Sequence, residues 1–188
     1  MRAQNKPISG FTIIELVMVI VILAIIAVIA LPKLLALGRD AQIAQLQNIA
    51  SKVNAQSKMI YTKSAIENIH TLAGCSLFSK HPLCHRLFGE YYIEVGGTKV
   101  FVSNGYPLAP IKTNNIINNN YRSAFGLPKE EFLIARASLL SSTTAVIVPI
   151  KWQNKLADIR NRRFHCHIEY RQPSKQREYS VEVFSQDC

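Results

Sequence analysis

The sequence predicts an α+β protein in which one long N-terminal helix packs, through its second half, against an antiparallel β-sheet. Sixteen consecutive apolar residues, Leu16 to Leu31, are followed by a stretch without glycine or proline from Arg39 to Ala73. After that stretch, short segments rich in Val, Ile, Tyr and Phe alternate with Gly, Asn and Pro turns, as in antiparallel sheets.

The apolar segment is long enough to cross a membrane. From Phe11 to Leu31 there are twenty-one residues with a single charge, Glu15. As a helix they span about 31 Å, close to the hydrocarbon thickness of a bilayer. Residues 1–10 carry Arg2 and Lys6 and no acidic residue, so the positive-inside rule predicts a cytoplasmic N-terminus. We therefore expect a single pass through the inner membrane, with the rest of the chain outside the cytoplasm.

Three simpler interpretations of this segment remain open. A cleaved signal peptide suits the basic start, but the apolar run is long and Leu31-Pro32 does not suit the residues after a cut. The segment also fits a plain signal anchor, or an anchor in which Glu15 lies at the membrane interface without a task. The signal peptide and the plain anchor do not explain Glu15, since a carboxylate costs roughly 2.5–3.5 kcal/mol at the centre of a membrane, although less near an interface.

The start of the apolar segment, GFTIIE at residues 10–15 behind a short basic leader, resembles the processing motif of type IV prepilins and type II secretion pseudopilins. The resemblance implies the type IV pilin fold. It also implies that a membrane peptidase cuts between Gly10 and Phe11 and methylates the new amine of Phe11. In the same way, Glu15 matches the acidic assembly residue of that family, and Pro32 matches a proline that kinks the helix.

The chemistry of the motif agrees with this resemblance. Glycine at the cut lets a peptidase approach the backbone closely. Cleavage places a positive amine on Phe11 at the membrane-embedded end of the helix. The carboxylate of Glu15 in an adjacent subunit can neutralise this amine, and because an unpaired charge in hydrocarbon is costly, the pair would set the register of docking.

We expect four parts along the chain. They are a leader at 1–10 that is removed, a transmembrane and assembly helix at 11–31, a segment at 32–73 that continues the helix as an amphipathic helix to about His70, and a β-rich head at 74–188. The continuation has a stripe at three- and four-residue spacing that suits one buried helix face, formed by Ile43, Leu46, Ile49, Ala50, Val53, Ser57 and Ile60.

Turn residues divide the head into short elements. The expected elements are a hairpin of Tyr91–Val95 and Thr98–Val102 around Gly96-Gly97, a turn at Asn104-Gly105, an asparagine-rich loop at Lys112–Asn120, a short helix opened by Pro128–Glu131, a strand at Ala145–Trp152, and a final strand pair at Phe164–Tyr170 and Glu178–Phe184.

Four cysteines, Cys75, Cys84, Cys166 and Cys188, all lie beyond the apolar segment. In an exported chain an even number predicts two disulfides. The first two bracket a short loop and the last two bracket the final hairpin, so the preferred pairing is Cys75 with Cys84 and Cys166 with Cys188, although four cysteines allow three connectivities. The second bond resembles the disulfide that pins the C-terminal segment in many type IV pilins.

The basic balance indicates a second surface of interest. The formal charge is +10, and removal of the leader leaves 20 Lys and Arg against 12 Asp and Glu. Arg160, Arg162 and Arg163 lie in its densest part, between Lys151 and Tyr179. This region is either a solvated positive face or a contact for DNA, acidic polysaccharide or another polyanion.

The sequence predicts no enzyme, metal site or cofactor. His165-Cys166-His167, together with His81, Cys84 and His85, suggests a zinc site, but strand alternation places Cys166 on the face opposite His165 and His167, so these three cannot converge on one ion. Gly96-Gly97-Thr98-Lys99 lacks the glycine spacing of a phosphate loop.

The expected function is a structural subunit of a type IV pilus-like extracellular filament used for surface attachment. Its partners would be copies of itself, the prepilin peptidase, the assembly platform and the membrane. Short stretches, among them KMIYTKSAIE and VFVSNGYP, resemble the mannose-sensitive haemagglutinin branch of the pilins. The alternatives are a secretion pseudopilin, and a minor tip pilin that binds nucleic acid or a glycan through the basic C-terminal patch.

Overall fold

A computed structural model describes residues 11–108, 114–138, 143–174 and 177–188, without the side chains of residues 32, 34, 35 and 114–117. The leader and Gly10 therefore lie outside the described residues. The chain divides into two compact units, with the division between Gln42 and Ile43. Each unit contains part of the same helix.

The α+β class is confirmed, with two antiparallel sheets rather than one. Helix α1 spans Ile13–Ile66, which is 54 residues. Sheet A and sheet B each contain four strands that are neighbours in sequence order. Sheet A consists of β1 Cys84–His85, β2 Glu90–Val95, β3 Thr98–Ser103 and β4 Tyr106–Pro107, and sheet B of β5 Phe132–Arg136, β6 Thr144–Pro149, β7 His167–Arg171 and β8 Ser180–Phe184. Helix α2 Asn114–Phe125 connects the sheets, and a 3-10 helix Ile150–Lys155 followed by α3 Leu156–Arg160 connects β6 to β7.

Within the unit that begins at Ile43, helix α1 packs through the predicted stripe. Ile43 and Ile49 are half-buried, and the remaining members of the stripe are buried. The buried apolar members form one core with both sheets, and this core includes Leu46, Ala50, Val53, Ile60, Ile93, Val100, Ile147 and Ile168. Ser57 is also fully buried, and its hydroxyl donates to the carbonyl of Val53 at 2.7 Å. The helix ends at Ile66, four residues before the expected end.

Both predicted hairpins are confirmed. Strands β2 and β3 pair from Val95 opposite Thr98, and the two turn residues Gly96 and Gly97 have φ of 56° and 77°. Strands β7 and β8 pair from His167 to Arg171 against Phe184 to Ser180.

The loop expected at Lys112–Asn120 was wrong for residues 114–120, whereas Lys112 and Thr113 lie outside the described residues. Helix α2 begins at Asn114, although asparagine is a poor helix former. Tertiary packing decides the outcome, because Tyr121 and Phe125 on the same helix are fully buried. In addition, the side chain of Asn120 bonds to sheet A, so this residue fastens the helix instead of competing with it.

Two other predicted elements also differ from the structure. The segment Pro128–Glu131 forms only a turn, closed by the amide of Phe132 donating to the carbonyl of Pro128 at 3.2 Å, because Phe132 and Ile134 alternate into the core as strand residues. The strand expected at Ala145–Trp152 ends at Pro149. The 3-10 helix then turns Trp152 onto Phe164, with ring centroids 5.1 Å apart.

The two disulfides in the structure are the preferred pairs. Cys75 and Cys84 are joined with a Cα–Cα distance of 6.0 Å, and Cys166 and Cys188 with 5.0 Å. The first closes a loop after helix α1, and the second fixes the last residue of the chain next to the start of β7.

Gly105 sets how closely the β3–β4 turn approaches helix α1. Its φ is +78°, and a Cβ at this position would lie 2.7 Å from Cδ2 of Tyr61 and 3.2 Å from the Cα of His70. Only glycine combines this backbone conformation with this contact.

We expect Gly105→Ala to lower the free energy of unfolding by more than about 2 kcal/mol, because left-handed strain and overpacking each cost roughly 1–3 kcal/mol. Gly97→Ala is the matched control, since its φ is +77° but nothing lies within 4 Å of the added Cβ. Urea unfolding of the full chain in detergent measures both variants. Equal losses would contradict the close-packing argument.

Candidate assembly site and neighbouring surfaces

Helix α1 begins with a reciprocal cap formed by Thr12 and Glu15. Oε2 of Glu15 accepts from the backbone amide of Thr12 at 2.9 Å and from its hydroxyl at 2.8 Å. The amide of Glu15 donates to Oγ1 of Thr12 at 3.3 Å. This is a capping box, which satisfies amides that the first turn of a helix leaves unpaired. The Thr-x-x-Glu spacing of residues 12–15 already indicates this cap in the sequence, where only the charge of Glu15 was considered.

The first part of α1 exposes a continuous apolar surface. Every large apolar side chain from Ile13 to Leu31 is between 45% and 82% exposed. By length and composition the helix can cross a membrane. Such a surface is unfavourable in water and needs an apolar environment or a protein partner.

The second part of α1 has an outer face without charge, which the sequence analysis missed. Its members recur at intervals of three and four residues and are all exposed. They lie opposite the buried stripe, since each residue advances the helix by about 100°. Small side chains on such a face allow close approach of another helix. We define this uncharged outer face as Ala44, Asn48, Ser51, Ala55, Met59, Thr62 and Ile66.

The other motif residues are placed as follows. Phe11, the expected first residue after processing, is 80% exposed, whereas Gly10 lies outside the described residues. Helix α1 continues through positions 32 and 38. The cut between Gly10 and Phe11, the methylation of Phe11 and the kink at Pro32 stay predictions.

The three arginines of the basic patch have partners within the protein. Nη1 of Arg162 lies 3.6 Å from Glu169, and Nη2 of Arg163 lies 3.0 Å from Asp158. Nε of Arg160 donates to the carbonyl of Arg136 at 3.1 Å. The side chains of Arg162 and Arg163 nevertheless remain 60% and 66% exposed, and contact with a polyanion stays a prediction.

Glu169 is the buried acid that holds part of this patch together. Its side chain is 3% exposed, and Oε2 accepts from Nη2 of Arg171 at 2.7 Å. Burial alone would raise the pKa of Glu169, but the contact with His167, the hydrogen bond from Arg171 and the charges of Arg162 and Arg171 outweigh it and lower the pKa to about 2.

The histidines of the zinc candidate lie apart from the neighbouring cysteine. Cys166 is bonded to Cys188, and His167 stacks on Phe184 with centroids 4.9 Å apart. His165 lies 3.1 Å from Asp187. Among the described residues, no group of three or more His, Cys, Asp or Glu is placed to hold a metal ion.

Comparison with known families agrees with the processing motif. Residues 5–31 match the family model described as the prokaryotic N-terminal methylation motif. No curated protein and no solved structure matches the chain.

This match supports the type IV pilin-like superfamily, pseudopilins included, whose members are structural proteins. The fold is consistent with it, since a long N-terminal apolar helix packs against antiparallel sheets through its second half. The helix and the motif also fit a membrane-anchored precursor that is processed and assembled into filaments.

The pH dependence of stability tests the role of Glu169. A carboxyl whose pKa is lowered by folding stabilises the protein above its unfolded pKa, and this stabilisation is lost as the pH falls through the folded value. We therefore expect stability to decrease between about pH 4.5 and pH 2, and Glu169→Gln to be less stable at neutral pH and to show a shallower decrease in this window.

Urea unfolding at a series of pH values measures this difference. Glu131→Gln is the control, because the carboxylate of Glu131 is exposed and has no ion pair within the described residues. An unchanged slope in Glu169→Gln would contradict the stabilising role.

Proposed function

We propose that this protein is a structural subunit of a type IV pilus-like extracellular filament. The observation that carries the proposal is the exposed apolar surface from Ile13 to Leu31. This surface includes the capped Glu15 and lies within the matched methylation motif. Before assembly, lipid covers this surface. After assembly, the same surface of other copies covers it.

The charge of Glu15 gives assembly its register. Within the described residues only Oε2 of the carboxylate is bonded, which leaves Oε1 free to accept from the methylated amine of Phe11 in a neighbouring copy. Both charges would be costly alone in an apolar environment. The best alignment of two helices is therefore the one that pairs them.

The uncharged outer face of α1 extends the contact beyond the membrane segment. None of the seven residues of this face carries a charge that would be desolvated on packing against another copy, and its residues Ala44, Ser51 and Ala55 are small. Met59 and Ile66, which are 41% and 73% exposed, supply apolar area at the distal end.

The finer assignments are part of this proposal. Processing after Gly10 by a prepilin peptidase, passage through an inner-membrane assembly platform, display outside the cell and a role in attachment follow from the pilin resemblance. A mannose-sensitive haemagglutinin-like pilus is the branch that the short sequence stretches favour. A secretion pseudopilin shares the same N-terminal features and is the alternative.

The tip-pilin alternative has less support. It requires Arg160, Arg162 and Arg163 to face a polyanion, but two of them are paired with Glu169 and Asp158. Each pair would have to be shared or exchanged on binding.

Two substitutions separate the charge of Glu15 from its capping role. Glutamine also serves at this position of a capping box, so Glu15→Gln keeps the cap and removes the charge, whereas Thr12→Val removes the capping hydroxyl and keeps the charge. We expect Glu15→Gln, like Glu15→Val, to be inserted and processed but to form no filaments. Thr12→Val should still form filaments.

Sheared surface fractions, quantified by immunoblot and electron microscopy, report assembly. The loss of a ten-residue leader reports processing of the same variants. Wild-type filament yield from Glu15→Gln would contradict the pairing with the Phe11 amine, and loss of filaments only in Thr12→Val would make the cap the essential feature.

A further inference from the structure

The outer face of sheet A carries aromatic rings that the assembly proposal does not use. Along β2 and β3 the alternate residues enter the core, so Tyr92 and Phe101, which are cross-strand partners, lie on the opposite face. They are joined there by His85 and Phe88. His85 stacks on Phe88 with centroids 4.4 Å apart, and Phe88 meets Phe101 edge-on at 5.2 Å. These four half-buried rings are called the aromatic cluster below.

A cavity of about 270 Å³ lies beside the aromatic cluster, between β3 and α2. Phe88 and Phe101 supply its apolar side. Its polar side is supplied by Thr98, Lys99, Asn119, Asn120 and Ser123.

The bonds of Asn120 fix the polar side of this cavity in place. Its Oδ1 accepts from the amide of Phe101 at 2.7 Å, and its Nδ2 donates to the carbonyls of Phe101 at 3.1 Å and Leu108 at 2.6 Å. These bonds hold α2 against β3. The amide of Asn119 and the hydroxyl of Ser123 have no bonded partner in the described part of the chain, so both are available to a ligand.

We propose that this cavity binds one ring of a neutral saccharide. A pyranose ring has an apolar face of C–H groups and a rim of hydroxyls, and the cavity offers aromatic rings on one side and an amide with hydroxyls on the other. An amide both donates and accepts, as recognition of a hydroxyl requires. Ligand sites for larger molecules usually measure about 300–1,000 Å³, so this smaller cavity fits a single ring.

The charges around the cavity argue against a nucleic acid. Stacking proteins that bind single strands combine aromatic rings with a basic groove along the backbone. Among the described residues of the lining, Lys99 is the one cation. Its ammonium lies 4.5 Å from the ring centroid of Tyr92, and its cross-strand partner is Glu94. The part of the lining that the structure describes therefore has no run of cations that would follow phosphates.

A site for a single ring binds weakly, with a Kd on the order of 1 mM. Repetition of the site along a filament would raise the overall avidity without any further contact. This second step rests on the proposed filament function, whereas binding by one chain does not.

Titration of the full chain tests the site. The chain is held as a monomer in dodecylphosphocholine micelles, which carry no sugar headgroup. It is titrated with cellohexaose, maltohexaose and chitohexaose, and saturation-transfer NMR of the ligand signals detects binding. We expect at least one of the three to bind, and Phe88→Ala and Asn119→Ala each to weaken its binding about tenfold or more.

Phe78→Ala is the matched control for the aromatic substitution. Phe78 is 92% exposed and lies in the Cys75–Cys84 loop, outside the cavity lining, so this variant should bind as the wild type does. Asn119 is exposed, and Asn119→Ala therefore keeps the fold even if Phe88→Ala does not; urea unfolding checks both.

Three outcomes would overturn the saccharide site. They are no binding of any of the three hexasaccharides, equal binding by wild type and Asn119→Ala, and tighter binding of a twenty-nucleotide oligothymidine than of the hexasaccharides. Because the titration uses monomers, it is independent of whether the chain forms filaments. A chain that binds sugar but forms no filament would leave the site intact and overturn only the assembly proposal.

Discussion

The apolar surface at the start of helix α1, which the described residues of the chain leave uncovered, is the constraint on which the rest depends. Fifteen large apolar side chains between Ile13 and Leu31 are at least 45% exposed, and their full burial is worth about 20–45 kcal/mol at 1.5–3 kcal/mol each. A typical domain is stable by only about 5–15 kcal/mol. The chain therefore cannot leave this surface in water. An apolar environment or a protein partner must cover it, and under the proposed function this cover changes from lipid to other copies on assembly.

The two parts of the chain treat their carboxylates differently. In the head, Glu169 is surrounded by its own arginines, so the charge is satisfied within one molecule. At the start of α1, Glu15 is half satisfied by the cap on Thr12 and has one oxygen left for a group from outside. The first arrangement stabilises a fold. The arrangement at Glu15 leaves part of the charge to be neutralised by a neighbouring copy, as the proposed polymerising subunit requires.

The sequence predicted what local periodicity and turn chemistry determine. The apolar run, the stripe on α1, the Gly96-Gly97 hairpin and the final hairpin were visible because each repeats within a few residues. Helix α2 was missed because asparagine favours loops locally, and only the distant bonds of Asn120 reverse that preference. Strand β5 was missed because Pro128–Glu131 has the local pattern of a helix start, and only the burial of Phe132 and Ile134 in the core makes the following segment a strand. The cavity beside the aromatic cluster joins residues from the β1–β2 turn, β3 and α2, which no local pattern brings together.

The most direct measurement of the central claim is the N-terminal mass of the chain in sheared extracellular filaments. If lipid gives way to sister helices after processing, the first peptide must begin with N-methylated Phe11 and the protein must be abundant in the filament fraction. An unprocessed leader, a cut near Ala30 that removes the apolar helix, or a chain found only in the membrane would contradict the account.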